Sequence, residues 1–189
     1  MNTITAARSP KASQQSWLRS YYTVRALFSA AWVALAFTIG RADPAIGIVL
    51  ALLYPAWDAL ANGYDARRSG GLAANPTQAA NLVISAVVTV AVAVAATRGF
   101  HAVIGVIGVW AALAGILQLA TAVRRWGKAT AQWPMILSGA QSVLAGSFFV
   151  KRALDPSLGL NVADIAPYAA FGAFYFAISA GALALSPRR

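Results

Sequence analysis

Six apolar runs of about 20 residues each constrain this chain more than anything else in it. They are Tyr21–Gly40, Pro44–Gly63, Pro76–Thr97, Ala102–Val123, Gln132–Val150 and Ile165–Leu185. A bilayer's hydrocarbon core is about 30 Å thick and a helix rises about 1.5 Å per residue, so runs of this length cross it. Backbone groups in lipid find no outside partner, which leaves helix as the state open to them. Spans three to six hold no Asp, Glu, Lys or Arg, whereas the first holds Arg25 and the second Asp58. Turn formers fall between the runs: Ala42-Asp43-Pro44, Ser69-Gly70-Gly71, Asn75-Pro76, Asp155-Pro156 and Pro187. The expected fold class is an all-α membrane protein with six transmembrane helices.

Charge points the same way. Only 11% of the 189 residues are charged and 59% are hydrophobic, where a soluble surface needs roughly 25% charged residues. The formal net charge of +10 sits at the ends of the apolar runs and forms no basic stripe, so a nucleic-acid partner is not expected. With no Cys and one His, thiol catalysis, disulfides and thiolate metal sites are excluded, and neither a metal nor a cofactor is expected. With the N-terminus inside, the inner side carries Arg8, Lys11, Arg19, Arg25, Arg67, Arg68, Arg124, Arg125, Lys128, Arg188 and Arg189, against Arg41, Arg98, Lys151 and Arg152 outside. That bias predicts both termini in the cytoplasm. Residues 1–16 are polar and aperiodic and read as a mobile cytoplasmic tail, with residues 17–189 as the transmembrane domain. Ala34-Leu35-Ala36 has the small-x-small form of a signal-peptide cleavage site, but the basic region before it is too long.

The spans group into three hairpins, 21–68, 76–125 and 132–189. Arg41, Arg98 and Arg152 are followed by Gly47, Gly105 and Gly159; Arg67-Arg68, Arg124-Arg125 and Arg188-Arg189 close the hairpins. The odd spans share a polar residue with a serine four positions on, in Arg25…Ser29, Asn81…Ser85 and Ser138…Ser142, and the even spans share Gly63, Gly115 and Gly181. One order kept three times predicts a parallel, pseudo-threefold repeat about an axis along the membrane normal.

Ionisable groups inside a span are costly, by roughly 2.5–3.5 kcal/mol each on insertion scales, and so invite explanation. Arg25 and Asp58 stand at similar depths on adjacent antiparallel spans and are expected to pair. The first reading is a structural ion pair pinning the first hairpin, or Arg25 snorkelling to the headgroups; the alternative is a transport or gating role. Tyr54, Asp58 and Asn62 share one helix face. With Asn81, Gln118 and Gln141 they make a candidate intramembrane polar cluster, read either as a ligand site or as interhelical hydrogen-bond glue. Gly108…Gly115 and Gly139…Gly146 read as close helix packing. His101, at an outer end, suits a pH sensor or merely an interfacial residue. No nucleophile–base–orienter set is visible, so no catalytic residues are assigned and the chain is not expected to be an enzyme. The Arg pairs suit anionic membrane lipid, at about 1 kcal/mol per cation.

Trp133-Pro134-Met135-Ile136-Leu137-Ser138-Gly139, with Gly146 and Phe148-Phe149, resembles the fifth-span region of the HdeD-like short-repeat membrane proteins. Arg25 after an aromatic cluster and Asn62-Gly63, where members often carry Asp-Gly, resemble it too; Asp58 here stands one turn before that position. The resemblance implies a bacterial inner-membrane protein, in some members tied to acid resistance, and supplies no catalytic residues. The leading expectation is thus a non-enzymatic membrane protein in envelope or acid-stress physiology. The alternatives are a small channel or transporter along the bundle axis, or an accessory subunit of a membrane complex. Membrane lipid, a second copy and a membrane-protein partner all remain open as contacts. A mitochondrial-carrier relationship fails, because no Pro-x-acid-x-x-base motif follows any proline.

Overall fold

The computed structural model describes residues 10–124 and 132–185, and residues 1–9, Arg125, Lys128, Arg188 and Arg189 lie outside the described residues. Among the described residues the chain forms six α-helices: α1 (Pro10–Leu35), α2 (Pro44–Arg68), α3 (Pro76–Ala96), α4 (Phe100–Arg124), α5 (Gln132–Ala153) and α6 (Ala166–Leu185). A π-helical turn, Ala36–Gly40, continues α1, and a 3₁₀ turn, Val162–Asp164, precedes α6. Among the described residues, five helical segments are long and apolar enough to cross a membrane. In α5, Ser138, Gln141 and Ser142 face the interior. The first helix starts at Pro10, two turns ahead of Trp17, so part of the expected tail is helical.

The termini of the helices follow from local chemistry. The Asp43 carboxylate accepts from the backbone N–H groups of Ala45 (2.7 Å) and Ile46 (3.2 Å), which caps α2, and Pro44 fills the first helical position, where a missing N–H costs nothing. Gly70 and Gly71 take positive φ angles of 99° and 93° after Arg68, a conformation other residues avoid. Asn75 ties that turn together by donating to the carbonyls of Ser69 (2.7 Å) and Gly71 (2.9 Å). Inside α2, Pro55 removes a backbone donor. One turn earlier, the Leu50 carbonyl accepts from the Trp32 indole N–H at 2.8 Å.

Burial is distributed as lipid solvation requires. Leu60, Val90, Val123 and Leu144 lie two-thirds or more exposed or nearly so, at 68%, 65%, 67% and 71%, whereas Ser29, Asn62, Ser85 and Thr121 are buried. A soluble surface would not present so many large apolar side chains together.

The closest packing crosses the hairpin boundaries: α4 lies on α5, α1 on α6, and α2 on α3. Glycine explains the first of these. A Cβ on Gly115 would stand 2.5 Å from the Gly139 carbonyl oxygen, and one on Gly146 would stand 2.5 Å from that of Gly108, so the two backbones touch, as the glycine spacing predicts. The glycines of the expected repeat differ in surroundings. Gly63 faces Leu82 and Gly105 faces Ala153, but Gly159 and Gly181 have no such neighbour among the described residues.

The apolar core fills the half of the bundle that holds the Ala36–Gly40 turn and the α5–α6 connection, with Val92, Ile104, Ile107, Val162 and Ile165 fully buried. That connection folds inward. Asn161 and Asp164 form a reciprocal capping box, and Arg152 donates to Asp164 at 2.7 Å. Val162 is thereby seated against Gly40 and Gly47, where a Cβ would approach its methyl to 2.8 Å and 3.4 Å.

Candidate functional site

Polar residues that face lipid are costly, and each of the six helices turns polar side chains inward, while the exposed Thr23, Thr38 and Ser147 bond back to their own helix. The inward set lines an open cavity of about 610 Å³ in the half opposite the apolar core. It reaches Thr77 in the first turn of α3 and Thr121 in the last turn of α4. All six residues of the sequence-derived cluster, Arg25, Asp58, Asn62, Asn81, Gln118 and Gln141, line this one cavity.

Arg25 and Asp58 form an ion pair across α1 and α2, with side chains only 12% and 21% exposed. Oδ1 of Asp58 accepts from Arg25; Oδ2 accepts from Asn62 Nδ2 at 3.0 Å and from the Ser85 hydroxyl at 2.8 Å. The guanidinium also donates to the Tyr21 hydroxyl at 3.1 Å and lies over the Phe176 ring at 4.2 Å, a favourable cation–π placement. The carboxylate is thus held from three helices. The pair is compensated within itself, as a charge at this depth requires.

The boundary between cavity and core is aromatic. Tyr54 of α2, Trp110 of α4 and Tyr168 of α6 stand edge to face, with ring centroids 5.9 Å and 6.5 Å apart, and Trp32 packs on Tyr54 at 4.9 Å. The Trp110 indole N–H donates to Ser85 at 3.2 Å, while Ser29 meets Tyr54 and Ser142 meets Tyr168. Above these rings the route is closed by Phe149, Val162 and Ile165.

The remaining amides behave differently. Gln141 accepts from the Tyr175 hydroxyl at 3.0 Å through its Oε1 alone, and Asn81 and Gln118 have no hydrogen-bond partner among the described residues. The Arg25 Nε and the Trp57 indole nitrogen are buried without an acceptor among the described residues.

Sequence reasoning missed Ser85 and Trp110 as site residues. Ser85 carries a readable signal, since it stands four residues after Asn81 in the odd-span pattern; Trp110 carries none, because a tryptophan in an apolar run looks like core. His101 lies outside the cavity. Its Nε2 is 3.0 Å from the Asp155 carbonyl oxygen, which can only accept, so that nitrogen bears the proton. The exposed Asp155 carboxylate is held below its ordinary value by the hydroxyl and backbone N–H of Ser157. No cluster of metal-binding side chains occurs among the described residues.

Comparison with family models, with characterised proteins and with solved structures gives no match.

Proposed function

We propose that this chain is a non-enzymatic, solute-binding protein of the bacterial inner membrane. In this reading it crosses six times with both termini inside, and the cavity faces the cytoplasm. The observation that carries it is a cavity of about 610 Å³ with polar side chains from all six helices, inside the 300–1,000 Å³ range of small-molecule sites. Interhelical glue alone would leave paired polar groups and little space between them, yet Asn81 and Gln118 face open volume unpaired among the described residues. The apolar plug above Trp110 argues against a standing channel and for a carrier or sensor closed at its outer end. The HdeD-like resemblance and its link to acid stress rest on the sequence motifs.

A pseudo-threefold parallel repeat belongs to the same proposal. Ser29–Tyr54, Ser85–Trp110 and Ser142–Tyr168 are three serine–aromatic pairs, separated in sequence by 25, 25 and 26 residues. Each joins an odd helix to the next even one, which supports three related units around the cavity.

The absence of cysteine from the chain allows a direct test. Gln118→Cys should react with a membrane-impermeant maleimide in inverted vesicles and not in right-side-out ones, while Lys151→Cys should show the reverse. Reaction of Gln118→Cys from neither face sinks the solute-binding reading, and reaction from both faces replaces it with an open pore.

A further inference from the structure

The cavity wall is uncharged as a whole. Arg25 and Asp58 are the only Asp, Glu, Lys or Arg in the described lining, and they pair with one another. Asp58 already accepts three hydrogen bonds and is neutralised by Arg25, so a cation would have to sit beside the Arg25 guanidinium. An anion would have to draw Arg25 from Asp58 and from the Phe176 ring. The first sets like charges side by side and the second leaves a buried charge unpaired, and both are penalised. What the wall leaves free is neutral and two-sided. The carboxamides of Asn81 and Gln118 can each donate and accept, and the Gln141 amide nitrogen is unused. A ligand matching this set must both give and take hydrogen bonds, which a hydroxyl does and a quinone carbonyl does not. Aromatic side chains complete the wall, with Tyr22, Tyr54, Trp57, Trp110, Phe171 and Phe176 in the lining. An aromatic lining with a few polar groups suits the C–H surface of a saturated ring.

We propose that the cavity takes an uncharged polyhydroxylated molecule, a sugar or cyclic polyol, held by Asn81, Gln118 and Gln141 against the aromatic wall. The inference rests on the solute-binding reading and deepens it. Full-length Ser138→Cys, which places a single thiol in the lining, serves as the reporter. In inverted vesicles its maleimide labelling is followed with glucose, maltose and myo-inositol, and in parallel with choline, succinate, glycine betaine and decylubiquinone. At a ligand concentration about nine times Kd the free fraction, and hence the labelling rate, falls to about a tenth. A neutral polyol should produce that saturable protection. Adding Gln118→Leu or Asn81→Leu should raise the half-protecting concentration about five- to tenfold, as the loss of one net hydrogen bond implies. Both variants should keep the wild-type circular-dichroism spectrum. Protection by a charged, zwitterionic or quinone compound in place of the polyols overturns the ligand class and leaves the solute-binding reading standing. Labelling that no compound slows at tens of millimolar overturns the ligand class as well. A thiol that does not label at all removes the cavity reading itself.

Discussion

Breaking the Arg25–Asp58 pair from either side should cost more than removing it whole. Arg25→Ala leaves the Asp58 carboxylate, 21% exposed, with only Asn62 and Ser85 as donors. Stranding a buried partner of an ion pair costs about 3–5 kcal/mol, and water in the adjoining cavity moves the expectation to the lower end, about 3 kcal/mol. Asp58→Ala leaves Arg25 with the Tyr21 hydroxyl and the Phe176 face. A desolvated cation–π contact is worth about 2 kcal/mol, so this loss should be smaller, about 2 kcal/mol. Combining Arg25→Leu with Asp58→Leu strands no charge and should recover part of either loss, giving a coupling energy of about 2 kcal/mol. Thermal unfolding in detergent reads the series: a chain of this size loses about 2–4 °C per kcal/mol, so Arg25→Ala should unfold about 6–12 °C below the parent. Additive effects of the two leucine substitutions measured singly and together would refute the pairing argument. A double variant that is stable but no longer protected by solute in the labelling assay would move the pair from structure to binding.

Two further outcomes follow from other parts of the fold. Gly146→Leu puts a side chain where even a Cβ meets the Gly108 carbonyl at 2.5 Å. It should separate α4 from α5 and cost about 3 kcal/mol or more by overpacking, read as a lowered unfolding temperature, while Gly181→Ala, in open space, should unfold like the parent. In the α5–α6 connection, the depressed pKa of Asp155 means that the stabilisation of its turn is present at neutral pH and is lost as pH falls through the folded-state value. The hydrogen-exchange protection of the Ser157 amide should fall in acid, and Asp155→Asn should make that protection independent of pH.

The helices, the shared cavity of the polar cluster and the α4–α5 glycine contact were legible in the residues. Lipid imposes a length on any helix that crosses it, excludes unpaired polar groups from its outer face and rewards close backbone contact. Those rules act residue by residue, so Arg25, Asp58, Asn62, Asn81, Gln118 and Gln141 could be grouped as one cluster before their contacts were seen. Tertiary structure alone decided that α1 packs closest on α6 and α2 on α3, because nearest neighbours depend on surfaces from distant parts of the chain matching at once. It also decided that Ser85 and Trp110 belong to the site, that Val162 and Ile165 fold back to plug one end, and that the polar groups surround a space. A cavity is the volume six helices fail to fill, and no local pattern in any one of them encodes it.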